Sequence, residues 1–356
     1  GGTSQRVFRL GYLIIAGTSR SGSRYHCIRM TREIVMKPFS KCFTGLWLLV
    51  GLLFFTMGFP IPATAQVNTR DIPLTAQPQQ RFNIGQDLQP IYEGWVRNED
   101  GTFTFHMGYL NRNYEEQPYV PVGPNNFLSP GPPDQGQPTY FYPRTQRYQF
   151  SVTVPADWGP TKELVWQLTH NGSTQYLYAW LQPEWEIDRK NITSILNLQR
   201  GRSNDALYAA SPSAVTIDPV QPVTLPNTLT LTARVADDGL PEDLPERQPR
   251  RLDPTLQRPD GAPDIPDNII TYSKPMPPRN GLAVQWILYR GPAEVTFDSD
   301  EYDAWEEGDE GDGKTAAVFS TTATFTEPGS YVLRAVVSDG MLLTPADIEV
   351  TVTEAN

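Results

Sequence analysis

Apolar and polar positions alternate in short runs along most of the chain from residue 87 onward, and Pro, Gly, Asn and Asp separate the runs. A period of two is typical of β-strands that bury one face, whereas this part of the sequence has no long stretch with the 3.6-residue period of an amphipathic helix. The clearest run, YQFSVTV, places four side chains on one face: Tyr148, Phe150, Val152 and Val154. The pattern predicts an all-β protein.

The runs form two groups, which predict two β-sandwich domains in tandem. The first domain is expected at 87–188, after a linker at 66–86, and the second domain at 211–354. Residues 189–210 form a polar connector whose composition allows a short helix. No family is identified for the first domain.

Seven strands are predicted in the first domain: Ile91–Val96, Thr102–Leu110, Tyr119–Val122, Thr139–Tyr142, Tyr148–Val154, Glu163–Thr169 and Gln175–Leu181. The turn Asn98–Gly101 and the sequence HNGST are hairpin signals between neighbouring strands. Trp166 alternates with Leu164 and Leu168, which indicates a core position rather than a binding platform. The segment VGPNNFLSPGPPDQGQP has no periodicity and is predicted to be a loop.

Three sequence blocks in the second group carry a resemblance to a known family. They are VTLPNTLTLTARVADDGLP (223–241), LAVQWILYRGPAEVTF (282–297) and TTATFTEPGSYVLRAVVSDGMLLTPADIEVTV (321–352). These blocks are similar to the successive strands of PKD-type immunoglobulin-like domains in bacterial secreted proteins. The resemblance implies a β-sandwich and a role in binding, spacing or adhesion rather than catalysis. The alternation within the third block predicts the same fold, and Trp286 is expected to pack between the two sheets.

Two segments depart from that family pattern. A proline-rich insertion occupies 241–280, where a short connection is usual, and an acidic loop at 298–313 replaces a short turn. Because proline cannot donate a ladder hydrogen bond, the insertion is expected to be an extended loop rather than additional sheet. Either segment could distinguish this protein from its relatives.

Residues 36–65 have the three parts of a secretory signal peptide. Lys37 and Lys41 are basic, Gly45–Phe59 is almost entirely apolar, and Ala63–Ala65 supplies small residues for cleavage. Cleavage is expected to leave a soluble exported chain, periplasmic or extracellular, without a stable membrane anchor. An uncleaved anchor is the alternative, although the apolar run is shorter than a bilayer-spanning helix needs.

The segment before this signal, 1–35, is interpreted as an upstream extension that is not part of the natural protein, with the true start at Met36 or Met30. Both cysteines, Cys27 and Cys42, precede the cleavage position, so the mature chain is expected to have no disulfide and no thiol chemistry.

Charge excludes one class of partner. The whole chain has a formal net charge of −11, and residues 66–356, with 21 basic and 39 acidic side chains, have −18. A surface of this sign repels nucleic-acid phosphates, so we expect no nucleic-acid partner.

The acidic loop is the candidate metal site because crowded carboxylates match the oxygen ligands of Ca²⁺. Its candidate ligands are Asp298, Asp300, Asp303, Asp309 and Asp312. Their spacing differs from that of an EF-hand loop, and a solvated loop without a metal is the alternative.

Exposed aromatic side chains are the second kind of candidate, because carbohydrate-binding sandwiches stack sugars on such rings. Trp158, in the loop PADWGP, and Trp305, in the acidic loop, are the side chains expected to be exposed. Packing of either ring over its own loop is the competing interpretation.

Catalysis has little support in the sequence. His106 and His170 are the only histidines after residue 65, they form no H-E-x-x-H motif, and no G-x-S-x-G elbow is present in that part of the sequence. The sequence therefore predicts a non-catalytic binding or scaffolding protein whose partner is an envelope protein or a polysaccharide. A carbohydrate-binding module is the alternative, and an unrecognised hydrolase in the first domain is a third hypothesis. Oligomeric state is left open.

Overall fold

The computed structural model describes residues 81–245 and 274–355. Within these ranges the chain is mostly β-structure and forms two β-sandwiches, which confirms the predicted fold class. The predicted signal segment, the upstream extension and most of the insertion lie outside the described residues. No helix in the described part of the chain is long and apolar enough to cross a membrane.

The first sandwich consists of six strands: β1 (Leu88–Arg97), β2 (Phe103–Asn111), β3 (Asn126–Ser129), β4 (Arg144–Val154), β5 (Leu164–His170) and β6 (Ser173–Ala179). One sheet has the order β1-β2-β4 and the other β3-β5-β6. Both predicted hairpins are present, and the amide of Gly101, at φ 84°, donates to the carbonyl of Asn98 at 3.0 Å. The core between the sheets contains Trp166, as predicted, and also Phe105, Met107, Leu128 and Phe150.

Two predicted strands of the first sandwich are wrong. Tyr119–Val122 and Thr139–Tyr142 contribute only a single bridge, between Tyr119 and Tyr140. Conversely, the segment predicted to be pure loop contains β3, because the buried Asn126 side chain organises it. This amide donates to the carbonyls of residues 120 and 138, and its oxygen accepts a 2.9 Å hydrogen bond from the indole of Trp166.

The second sandwich consists of nine strands: β7 (Ala214–Ile217), β8 (Val223–Thr224), β9 (Leu229–Ala236), β10 (Ala283–Arg290), β11 (Val295–Thr296), β12 (Asp303–Ala304), β13 (Ala316–Phe325), β14 (Gly329–Ser338) and β15 (Leu343–Thr353). One sheet has the order β11-β13-β9-β7 and the other β12-β10-β14-β15-β8. All pairings are antiparallel except that of β8 with β15. The start of the domain contributes β7 to one sheet and β8 to the other, and this division of the strands is an immunoglobulin-like arrangement.

Two side chains agree with that fold. Trp286, on β10, is 5% exposed and lies in the core between the sheets, as predicted. Tyr331, near the start of β14, is fully buried, and its hydroxyl donates to the carbonyl of Glu327 at 2.7 Å. A tyrosine at this corner that bonds back to the preceding backbone is a hallmark of immunoglobulin-like sandwiches.

The connector contains two short helices, α1 (Arg189–Ile195) and α2 (Asn204–Ala209). A capping box between Asp188 and Asn191 begins α1, and the Ser203 hydroxyl caps α2. The guanidinium of Arg189 joins the two helices by donating to the carbonyl of Ala210 at 2.6 Å. The short helix allowed by the sequence is therefore a pair of helices.

The described ends of the insertion lie against each other. The amide of Leu244 donates to the side-chain oxygen of Asn280, and the Asn280 side-chain nitrogen donates to the carbonyl of Leu244, both at 2.9 Å. These reciprocal hydrogen bonds close the base of the insertion on the second sandwich.

We expect Tyr331→Phe to lower the free energy of unfolding by about 1 kcal/mol, because the hydrogen bond that the buried Tyr331 donates to the Glu327 carbonyl is lost. The measurement is urea denaturation of the purified protein. Tyr208→Phe is the matched control, since it also removes one hydroxyl hydrogen bond, to Asp188, but from a side chain that is 55% exposed. A Tyr331→Phe effect no larger than that of the control would contradict this account of the corner.

Candidate functional site

The two sandwiches meet at the end of β10, where one side chain leaves the core of its own sandwich. A register shift between Leu288 and Arg290 marks a β-bulge in the pairing of β10 with β14. Leu288 lies in the core of the second sandwich, whereas Tyr289 is 4% exposed and lies in the core cluster of the first. The bulge therefore inserts an aromatic ring of one sandwich into the other. We call the contacts around this ring the junction.

Backbone hydrogen bonds support the ring on both sides. The carbonyl of Tyr289 accepts from the amides of Thr139 and Tyr140 at 3.4 and 3.5 Å, and the amide of Leu288 donates to the hydroxyl of Tyr142 at 2.9 Å. The Tyr289 hydroxyl donates to the carbonyl of Gly136, and burial raises the pKa of Tyr289 to about 12.

Two arginines complete the junction. The guanidinium carbon of Arg334 lies 3.4 Å from the centre of the Tyr289 ring, and the same group donates to the carbonyl of Gln149 at 2.7 Å and pairs with both oxygens of Asp347. Arg290 pairs with both oxygens of Asp134, at 2.7 and 2.9 Å, across the same boundary. A cation against an aromatic face is most favourable when water is excluded, and the Arg334 side chain is only 11% exposed.

The two tryptophans predicted to be exposed are packed instead. Trp158 is 7% exposed, because its ring contacts Phe105 edge to face and Lys162 covers it at 3.9 Å. Trp305 is half-buried against the core of the second sandwich and lies directly over Gly313. The expectation of exposure was wrong for both, since each ring closes its own loop onto a core. Their predicted ligand-binding role is an untested hypothesis.

The structure does present exposed aromatic rings, on the outer face of the β3-β5-β6 sheet. Tyr176 and Tyr178 are 51% and 48% exposed, and their rings stack with centroids 6.3 Å apart and planes 28° apart. Phe127, which is partly buried, lies on the same face, because it pairs with Gln167, which in turn pairs with Tyr176. We call Phe127, Tyr176 and Tyr178 the aromatic platform. The run STQYLYA contained the signal, since buried Leu177 and Ala179 place the tyrosines on the opposite face.

The acidic loop uses its carboxylates to hold its own backbone. Asp312 accepts hydrogen bonds from the amides of residues 314, 315 and 316 and from the Thr315 hydroxyl, which hold the pKa of that carboxyl well below its usual range. Asp298 accepts from the amide of Thr322 at 2.7 Å, and Asp309 from the amide of residue 306 at 2.9 Å. Of the five predicted calcium ligands, Asp309 and Asp312 therefore stabilise turns, and Asp298 fixes the loop to strand β13.

The remaining two predicted ligands lie near the edge of the sheet. Asp303 is in β12, which pairs with β10, and the Asp300 carbonyl accepts from the side chain of Gln285 at 2.7 Å. Burial, followed by the negative charges of Asp309 and Glu306, raises the pKa of Asp303. Across the described ranges, no three His, Cys, Asp or Glu side chains are grouped so that they could hold a metal ion. Calcium binding by this loop stays a prediction.

One buried ion pair in the first sandwich has the residue types of acid–base chemistry. Glu93, in the bulge of β1, is 4% exposed and pairs with Arg147 at 2.7 Å. Burial raises the pKa of Glu93, and the charge of Arg147 opposes that shift. Nearby, burial lowers the pKa of His106 to about 4, so its imidazole is neutral. The pair links the irregular stretches of β1 and β4, and a structural role accounts for its contacts.

No protein-family model and no curated protein matches the chain. Among solved structures, it is similar to the S-layer protein rSbsC(31-844), at 10% identity and a TM-score of 0.21, over 75% of this chain and 28% of that one. Domains 4 and 5 of the S-layer protein SbsC match at 9% identity and a TM-score of 0.19, over 75% and 98% of the two chains.

A chimeric titin Z1Z2 functionalized with a KLER exogenous peptide from decorin matches at 11% identity and a TM-score of 0.17, over 76% and 100%. The chain thus spans little more than a quarter of the first of these structures. TM-scores this low do not support a fold assignment, so the fold is assigned from the strand order of this chain. The PKD-type resemblance stays a prediction.

The junction predicts a measurable coupling between Tyr289 and Arg334. In a double-mutant cycle with Tyr289→Ala and Arg334→Ala, we expect a coupling free energy of about 1–2 kcal/mol from urea denaturation. The control cycle pairs Tyr289→Ala with Arg234→Ala, an exposed arginine on β9, and its coupling should stay below about 0.5 kcal/mol. Equal coupling in both cycles would show that the cation–ring contact contributes nothing.

Proposed function

We propose that this chain is an exported, non-catalytic scaffolding protein that binds a protein of the cell envelope. The single observation that carries the proposal is the junction, in which Tyr289 is buried in the core of the neighbouring sandwich. Burying a side chain of one sandwich in the other opposes relative motion, because separation would expose the ring and leave its hydrogen-bond partners unpaired.

Two features of the sequence support export and an external location. Residues 36–65 have the three parts of a secretory signal, and residues 66–356 contain no cysteine whose oxidation state would depend on the compartment. The strongly negative charge of the same residues suits a protein that must not adhere to nucleic acid.

The closed base of the insertion supports a display role. Because Leu244 and Asn280 hold each other through two hydrogen bonds, the segment between them leaves and re-enters the second sandwich at one fixed place. A fixed base reduces the conformational entropy that a partner must remove on binding. The insertion is therefore the segment through which we propose that the partner is bound.

Replacing residues 246–273 by a short Gly-Ser linker should abolish partner binding without unfolding the protein. Residues 66–356 would be used as bait for solubilised envelope proteins, with the linker variant as the matched control and thermal unfolding as the check of folding. We expect the natural chain to recover a defined protein that the variant does not recover. Recovery of the same protein by both would overturn the role of the insertion, and enrichment of no protein would overturn the scaffolding proposal.

A second candidate function, polysaccharide binding, is favoured by the aromatic platform. Stacked rings of Tyr176 and Tyr178, half-exposed on one sheet face, present the flat apolar surface on which a sugar ring can lie. The platform replaces Trp158 and Trp305 as the aromatic surface for this function, because both tryptophans are packed.

If the platform binds sugar, the double variant Tyr176→Ala/Tyr178→Ala should weaken retention on insoluble polysaccharide about 30-fold, since each of the two stacked rings contributes roughly 1 kcal/mol. Depletion of the protein from solution by a panel of insoluble polysaccharides is the measurement. Tyr208→Ala, which removes an exposed tyrosine of α2 away from the platform, is the control and should bind normally. Retention that is the same for all three proteins would exclude the platform.

A further inference from the structure

The connector and the end of the insertion line an open cavity of about 660 Å³, a volume in the range of small-molecule sites. Two arginines line it: Arg200, from the loop between α1 and α2, and Arg279, from the irregular segment that leads to β10. Polar and apolar surface both contribute to the remaining wall, through Gln199, Met276 and Pro278.

The shape of the connector loop places Arg200 at this wall. Asn197 and Arg200 both adopt left-handed backbone conformations, with φ of 56° and 48°. Such conformations are unfavourable for residues with a side chain and persist where neighbouring contacts impose them. Here Arg200 donates to the carbonyl of Pro277 at 2.7 Å, and Arg202 donates to the carbonyl of Arg279 at 2.6 Å. The backbone segments on both sides of the cavity are thereby held together.

The charges of the two arginines are not neutralised by the described protein. Neither Arg200 nor Arg279 forms an ion pair within residues 81–245 and 274–355, although the chain as a whole is acidic. Both side chains line the same cavity, where their like charges repel each other, and burial followed by the positive charge of Arg279 lowers the pKa of Arg200. An anion between them would relieve this repulsion.

We propose that this cavity is a binding site for an oxyanion, a carboxylate or phosphate group carried by a small ligand. Guanidinium groups match both oxyanions, because their planar N–H donors pair with two oxygens at once. Met276 and Pro278 offer apolar surface to the rest of the ligand. The site is separate from the junction and the aromatic platform, uses only the described end of the insertion at 276–279, and does not depend on the scaffolding function.

Calorimetric titration of the purified exported protein tests the site. The probes are inorganic phosphate, D-glucuronate and, as a neutral control, D-glucose. We expect saturable binding of phosphate or glucuronate that high salt weakens, and no binding of glucose. Binding of phosphate alone assigns the site to phosphate-bearing ligands, and binding of glucuronate alone assigns it to carboxylates.

Arg279→Gln should weaken the binding of the anion about 10-fold or more, because one charge-assisted pair is lost. Arg97→Gln, which removes an exposed arginine of β1, is the matched control and should bind as the natural protein does. Should Arg279→Gln fail to fold, Met276→Glu replaces it: this side chain is 47% exposed, and a carboxylate there would compete with the ligand. The proposal is overturned if neither anion binds saturably, or if these variants bind within about twofold of the natural protein.

Discussion

The relative placement of the two sandwiches depends on the burial of one tyrosine. Tyr289 belongs by sequence to β10 of the second sandwich, yet its ring is in the core of the first. Removing a side chain of this size from water is worth roughly 2–3 kcal/mol, and the hydrogen bonds made by its carbonyl and hydroxyl are kept only while the sandwiches stay in contact. The junction is thus built from the same interactions as the interior of each sandwich.

This arrangement removes most of the charged Arg334 side chain from water. A buried charge destabilises a protein unless it is paired and fully hydrogen-bonded. Asp347 accepts two of its hydrogen bonds, the carbonyl of Gln149 accepts a third, and the Tyr289 ring covers its face. Because these partners come from both sandwiches, the charge is satisfied only when the two are docked, which adds specificity to the hydrophobic contact.

Alternation alone predicted most strands and the core positions of Trp166 and Trp286, since a strand with one buried face leaves a period of two in the sequence. It failed where burial comes from elsewhere in the chain. On β10 the alternation of Trp286 and Leu288 places Tyr289 on the outer face, and no local signal indicates that another sandwich covers that face. Likewise, Trp158 is in a loop rich in proline and glycine, but Lys162 and Phe105 enclose its ring.

The candidate sites also differ in whether a local sequence pattern predicts them. The shared outer face of Tyr176 and Tyr178 can be predicted from the sequence of one strand, because the alternating residues Leu177 and Ala179 are apolar. The cavity between Arg200 and Arg279 could not, because the two residues are distant in sequence and only the folded connector brings them together. The carboxylates of the acidic loop were evident as a cluster, but the use of Asp309 and Asp312 as acceptors for nearby amides depends on turn geometry that spacing does not fix.

The distance between spin labels on the two sandwiches tests the junction most directly. Residues 66–356 contain no cysteine, so Ser151→Cys on β4 and Ser320→Cys on β13, both exposed, can be labelled without background. The account predicts a single narrow distance distribution by pulsed electron paramagnetic resonance spectroscopy. It should be as narrow as the distribution for a label pair within the second sandwich, at Ser320→Cys and Thr351→Cys. A broad or multiple distribution between the sandwiches, with a narrow one inside the second, would contradict it.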